Sequence, residues 1–376
     1  MLTEMDSTNS VDNTHVINAA GHYTYLGGSL LNKEVREAVS DAAGRWVNLF
    51  EFQRVASGKL SKITGSDGGI ITSGAYSSLA IATEISIKIW KEKYNNIKKK
   101  PEVLIQKPHI TKYAEAFRVP GSELKIIDRS KSNSPLDDYV SDHVVAIAYV
   151  LTPKSPEFDL NECVLVGRKH GIPVIVDAAV VDPPVPGIKR LLKYSPSFIA
   201  VSGGKGFNGP SNSGILLFKK EFEERAINTA FPNYGIARGM KVGKEQMAGL
   251  LKAIEISASQ DQNGIVQEWW DKCNLLKQKL SNVPNVECFI REKWDLNFPQ
   301  PISRLVVRVD APDGDEVAKY VFEKSKKCTP PIYLRNPSDS IAENNQLIID
   351  PRGLTIEEIE EVATAIERLI SEYHTH

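Results

Sequence analysis

The chain has 376 residues, about two to three times the length of a common single domain, which predicts two packed domains. Hydrophobic residues make up 41% and charged residues 25%, a globular balance that excludes a disordered or fibrous chain. Forty-six Lys plus Arg against 47 Asp plus Glu leave a formal charge of -1, so no global field selects nucleic acid or an anionic membrane.

The first residues, MLTEMDSTNSVDNTH, are polar and acidic. They carry neither a basic start nor an apolar core, so no secretory signal is expected and the expected location is cytoplasmic. Residues 1–45 are predicted to form a strip that packs against both domains. Between 69 and 220, short apolar runs alternate with longer amphipathic segments. GIITS is followed by a helix from about Ala75 to Tyr94, then by EVLIQ, ELKIID, HVVAIAYVL, PVIVDAA, SFIAVS and SGILLF. Continuous apolar strands alternating with helices predict an α/β domain, its mostly parallel sheet covered on both faces. The lysines of NNIKKKPE suit the C-terminus of the first long helix, where the helix dipole favours cations. The longest apolar stretches, such as Val144 to Leu151, fall well short of the roughly 20 residues a membrane helix needs.

After residue 230 the pattern changes. Helices are predicted around Lys244 to Ser257 and Gln267 to Leu280, then NVECFI and ISRLVVRVD as strands, a helix near Asp315 to Lys326, NQLIID, and a closing helix from Thr355 to Tyr373. This predicts a large α/β domain over 46–244 and a smaller α+β domain over 245–376, with an active site at their junction. Cys163, Cys273, Cys288 and Cys328 are widely separated and show no ligand spacing, so reduced, mostly buried thiols and no metal centre are expected.

The sharpest chemical constellation is VIVDAA at 174–179 with VSGGKGFNGP at 201–210. Each half closes a predicted buried strand, and in open α/β sheets ligands bind outside the carboxyl ends of the strands. Asp177 and Lys205 at two such ends point to pyridoxal phosphate. The lysine amine forms an imine with it, and the carboxylate keeps the pyridine nitrogen protonated so that the ring accepts electrons. The competing reading has Asp177 capping a turn and Lys205 on an ordinary surface loop. Ser202 is a candidate for the phosphate. So are Ser73, Gly74 and Ala75 in IITSGAYSSL, where a strand meets a helix N-terminus with unpaired N–H groups. His109, just past the next strand, is a candidate to stack on the ring or to move protons near neutral pH.

The runs VINAAGHYTYLGGS at 16–29, TGSDGGIITSGA at 64–75, VDAA at 176–179, SGGKG at 202–206, KVGKE at 241–245 and IDPRGL at 349–354 together resemble the bacterial selenocysteine synthase and D-glucosaminate-6-phosphate ammonia-lyase family. The family consists of fold-type I pyridoxal-phosphate enzymes of the aspartate aminotransferase superfamily. The resemblance implies that fold, a cofactor on Lys205, and Asp177 at its ring nitrogen. It also implies a homodimer or a higher even homo-oligomer with sites at subunit interfaces, to which Arg238, Lys241 and Lys244 would contribute; the alternative is that these cations only cover the domain junction. Arg352, with Arg335 as its competitor, would grip the substrate carboxylate; Arg304 and Arg308 are expected to be structural. Bacterial selenocysteine synthases carry an N-terminal tRNA-binding domain, whereas only about fifteen residues precede VINAAG here and the charge is balanced, so no tRNA-dependent activity and no nucleic-acid partner are expected.

The expected activity is therefore a pyridoxal-phosphate lyase or β-replacement enzyme acting on a small amino acid or amino-sugar acid. An aminotransferase or racemase shares the same residues. A non-catalytic, cofactor-binding regulatory or scaffold subunit is the alternative from another class, and it would need neither Lys205 nor Asp177.

Overall fold

Seven apolar runs between Gly68 and Phe218 assemble into one sheet. A computed structural model of the chain describes residues 14–94, 99–292, 298, 300–337 and 342–375. A three-residue strand, β1 (Ile17–Ala19), is followed by helices α1 (Lys33–Ala43) and α2 (Leu49–Thr64). Then come β2 (Gly68–Thr72), α3 (Ala75–Lys93), β3 (Glu102–Gln106), α4 (Glu115–Arg118), β4 (Glu123–Ile127) and β5 (Val144–Val150). The run continues with α5 (Leu160–His170), β6 (Val174–Asp177), α6 (Pro184–Leu192), β7 (Phe198–Ser202), β8 (Gly214–Phe218), α7 (Glu223–Thr229) and α8 (Lys244–Ser259). Local chemistry sets several helix starts. Asn32, Asn48 and Asp159 each accept a backbone N–H from the first turn of α1, α2 and α5, which satisfies donors a helix otherwise leaves unpaired.

The sheet order is β2-β8-β7-β6-β5-β3-β4. Every pairing is parallel except those of β8, which runs antiparallel to both β2 and β7. Strands buried on both faces explain the unbroken apolar runs: Val176 of β6 packs in one core while its neighbour Ile175 packs in the other. The parallel strands end along one edge, at Thr72, Gln106, Val150, Asp177 and Ser202.

The remaining elements are α9 (Gln262–Leu280), β9 (Val286–Arg291), β10 (Arg304–Val309), α10 (Gly314–Ser325), β11 (Ile332–Leu334), β12 (Gln346–Ile349) and α11 (Ile356–Thr375). Antiparallel β12-β10-β9 forms a second sheet, and β1 pairs in parallel with β11. A core of Leu276, Val307, Val321, Ile349 and Ile366 lies among them. Thr355 and Glu358 exchange bonds at the start of α11, the Thr355 N–H to Glu358 Oε2 at 2.8 Å and the Glu358 N–H to Thr355 Oγ1 at 3.2 Å, a capping box.

The described residues divide into two units: 27–94, 99–260, 298 and 300 in the first, and 14–26, 261–292, 301–337 and 342–375 in the second. The division falls at 260/261 rather than at 244/245, because α8 buries Met247, Leu250, Leu251 and Ile254 in the core of the first unit. The N-terminal strip is itself divided at 26/27, since β1 is a sheet partner of β11. No described helix is long and apolar enough to cross a membrane. Among the described residues, no group of three or more His, Cys, Asp or Glu side chains could hold a metal.

Candidate active site

Asp177 and the loop bearing Lys205 lie at neighbouring strand ends. In the β6–β7 register Asp177 faces Ala200, two residues before Ser202. The Asp177 carboxyl is buried, and Oδ1 accepts the Ala179 N–H at 3.0 Å. Burial pushes this carboxyl above its ordinary range, outweighing the Ala179 bond and the attraction of Lys205. Lys205 sits in a loop closed on itself: the Gly203 N–H donates to Ser213 O at 2.8 Å, the Gly209 N–H to Gly203 O at 2.9 Å and the Asn208 N–H to Lys205 O at 2.9 Å. The lysine Nζ stands 5.7 Å from the ring centre of Tyr113.

The Ser73–Ala75 turn shares this sheet edge. Gly214 of β8 pairs with Thr72 on one side and Ser202 on the other, and its Cα hydrogens face the Gly74 backbone so closely that a Cβ would lie 2.6 Å from it. Ser202 is thereby brought beside the turn. Gly74 caps α3 at φ +134 without any side-chain cap bond, so the first N–H groups of a 19-residue helix face outward with its positive end. Ser73 Oγ donates to Ser77 Oγ at 3.2 Å.

His109 has a different setting from the one its sequence suggests. Its side chain is 0% exposed, its Nδ1 accepts the Val150 N–H at 3.3 Å, and Tyr149 packs edge-on at 4.6 Å. Burial pushes its pKa down to about 4, which corrects the expectation of proton transfer near neutral pH: the ring is neutral there. A fully enclosed imidazole also has no face left for a planar ligand. Tyr113, 49% exposed and facing Lys205, does have one. Tyr113 is not among the residues that sequence reasoning selects; its signal is a place after the carboxyl end of the apolar strand β3.

In the second unit, Arg352, Arg304 and Arg335 surround Asp350. Arg352 binds its carboxylate through Nε at 2.8 Å and Nη2 at 2.7 Å, and Arg304 Nε binds Oδ2 at 2.8 Å. Arg335 Nη1 lies 4.0 Å from Oδ2 and donates to Ala20 O at 3.1 Å. Burial, the largest single effect, would raise the Asp350 carboxyl, but the three arginines together hold it well below its ordinary value. Burial lowers the Arg304 guanidinium to about 10. Arg352 thus spends its fork on Asp350, Arg304 is built into the same cluster, and Arg308 pairs with Glu287 on the neighbouring strand. Of the residues expected at a neighbouring subunit, Lys244 donates to the carbonyls of Ala43 and Arg45 at 2.9 and 2.6 Å, at and just past the end of α1. Lys241 is exposed. Arg238 lies 5.6 Å from the Phe231 ring and 5.8 Å from that of Tyr234, its buried Nη1 without a hydrogen-bond partner among the described residues.

The fold is that of the fold-type I pyridoxal-phosphate enzymes. Within that class the chain is similar to a solved D-glucosaminate-6-phosphate ammonia-lyase, with a TM-score of 0.75 at 23% identity over 95% of this chain and 96% of that one. No family model matches the sequence. Among curated proteins, 5'-C-glycyluridine monooxygenase-decarboxylase from Streptomyces sp is 27% identical over 95% of this chain and 90% of its own. D-glucosaminate-6-phosphate ammonia lyase from Salmonella typhimurium is 28% identical over 64% of this chain and 67% of its own. L-seryl-tRNA(Sec) selenium transferase from Alkaliphilus oremlandii is 23% identical over 94% and 82%.

Proposed function

We propose that this protein is a pyridoxal-phosphate enzyme that acts at Cα of a small amino acid or amino-sugar acid and eliminates or replaces a β-substituent. The observation that carries the reading is the pair formed by Asp177, buried and pushed above its ordinary range, and Lys205 on the adjoining strand-end loop. The residues fit the cofactor: a buried carboxyl in need of a cationic neighbour suits a protonated pyridine nitrogen, and the uncapped N-terminus of α3 suits a phosphate. When bound, the cofactor supplies an electron sink for a carbanion at Cα.

Around it each side chain has a task. Lys205 would hold the cofactor covalently, and its amine, when free, would take the Cα proton. Asp177 keeps the ring nitrogen charged. Ser73, Gly74, Ala75 and Ser202 receive the phosphate, and Tyr113 covers a ring face in the position expected of His109. His109, neutral and enclosed, braces the end of β5. Arg335, whose side chain is the most accessible of the three around Asp350, takes the substrate carboxylate, and Arg352 orients it. A second copy of the chain would cover Trp46, 100% exposed, with Leu30 and Phe50, and bring Arg238 and Lys241 toward its partner's site. A cytoplasmic enzyme with a small-molecule substrate fits these features.

A second reading is favoured by one likeness: a relative 27% identical over 95% of this chain is named a monooxygenase-decarboxylase. In that reading the bond broken at Cα is the one to the carboxylate, and dioxygen is consumed. One assay separates the two. Purified protein given pyridoxal phosphate is incubated with β-substituted amino acids, amino-sugar acids and a nucleoside-bearing amino acid, while ammonia, carbon dioxide and oxygen uptake are followed. The lyase reading expects ammonia and a keto acid without oxygen uptake; carbon dioxide with oxygen uptake sinks it in favour of the second. In Lys205→Ala, the visible absorbance gained with pyridoxal phosphate should vanish and turnover should fall by about a thousandfold or more. A protein that stays colourless with the cofactor defeats both readings.

A further inference from the structure

The turn that follows Asp177 is gripped on both sides. Its Val181 N–H donates to Ala178 O at 3.0 Å. Against α6, a Cβ at Gly187 would come within 2.2 Å of Val181 Cγ2. Against the lysine loop, a Cβ at Gly206 would lie 2.8 Å from Val181 O and 3.0 Å from Asp182 Oδ1. One short segment therefore touches the residue next to Lys205 at one end and continues directly from Asp177 at the other.

The far end of this turn is tied by a residue remote in sequence. The N–H of buried Asp182 donates to the side-chain oxygen of Gln300, itself buried. Pro183, the N-cap of α6, offers no capping side chain. Phe298 stabilises the same placement, its ring 4.3 Å from the Arg190 guanidinium carbon. A glutamine amide can pair with a backbone N–H without bringing a charge into the buried turn.

We infer that Gln300 is a positioning residue of the cofactor site: by fixing the turn 178–182 between Gly187 and Gly206, it sets the spacing of Asp177 and Lys205. The inference rests on the proposed roles of that pair. Gln300→Met keeps the bulk and removes the acceptor, leaving the Asp182 N–H buried without its partner. Gly206→Ala presses on the same turn from the lysine side.

The test measures the affinity of the cofactor-free protein for pyridoxal phosphate and the pH at which the visible band of the loaded protein changes. Gln300→Met should weaken binding about tenfold, the scale of one lost buried hydrogen-bond partner, and should shift that pH. Combined with Gly206→Ala, the loss should fall well short of the product of the single effects, because both act on one turn. If Gln300→Met does not fold, Gln300→Asn, one methylene too short to reach, is read in the same way. A Gln300 variant that melts earlier yet keeps wild-type affinity and band titration overturns the proposal, as does full multiplicativity. If the wild-type protein itself gains no visible band, the cofactor reading fails and this proposal falls with it; a normal wild-type band with unmoved variants removes the proposal alone.

Discussion

Two aspartates, Asp177 and Asp350, are both buried and behave in opposite ways. Asp350 meets Arg304 and Arg352 at hydrogen-bond distance and Arg335 just beyond, and its carboxyl is held well below the ordinary range. Asp177 has the Ala179 N–H and the field of Lys205, and its carboxyl is pushed up. The chemistry of the side chain is the same; the density of donors around it differs. A saturated buried carboxylate is part of the framework, whereas one held at an electrostatic cost is where a cationic ligand gains most.

The contrast can be broken by substitution, and the largest effect on stability is expected at Asp350. Asp350→Asn leaves a cluster of buried guanidinium groups without its anion and should destabilise the protein by about 3–5 kcal/mol in urea unfolding. Its contribution is present above the unfolded carboxylate value and is lost as pH falls through the depressed folded one, so the wild-type advantage over Asp350→Asn should shrink only in strong acid. Stability indifferent to Asp350→Asn would deny it a framework role.

His109 sharpens the comparison with a second window. Its folded value of about 4 lies below the ordinary 6.5, so the unfolded chain binds more protons between these limits and stability rises with pH across them. The contribution, on the order of 3 kcal/mol, is complete above about pH 6.5 and lost as pH falls toward 4. His109→Gln should flatten the stability profile there; an unchanged slope would show that the imidazole is not held neutral.

Asp177→Asn should act in the opposite sense to Asp350→Asn and by less. A raised carboxyl contributes stability below its unfolded value that fades as pH rises through the folded one, so the cofactor-free variant should melt slightly higher at neutral pH. Its affinity for pyridoxal phosphate should fall by about tenfold or more, since a charge-assisted hydrogen bond is lost. Lower melting together with unchanged affinity would reverse the assignment of the two aspartates.

Much of this layout can be read from the chain. HVVAIAYVL, PVIVDAA and SFIAVS are unbroken apolar runs, so β5, β6 and β7, and the places of Asp177 and Lys205 at their ends, follow from period and punctuation alone. The pairing of β1 with β11 does not, because three-residue strands more than 300 positions apart carry no periodic signal. The boundary beyond α8 was hidden because helix amphipathicity says that a face is buried and not against which core. The enclosure of His109, the cluster around Asp350 and the tie from Gln300 to Asp182 are contacts between remote segments. Local propensity has no term for them.

The antiparallel course of β8 has one more consequence. Because β8 returns beside β7, the stretch carrying Lys205 is a hairpin connection pinned at both stems, whereas those after β3 and β5 run on into turns and helices. Insertions and substitutions can accumulate in the latter without disturbing the lysine. New substrates would enter evolution through those tolerant rims, while pairing at both stems constrains the length of the hairpin.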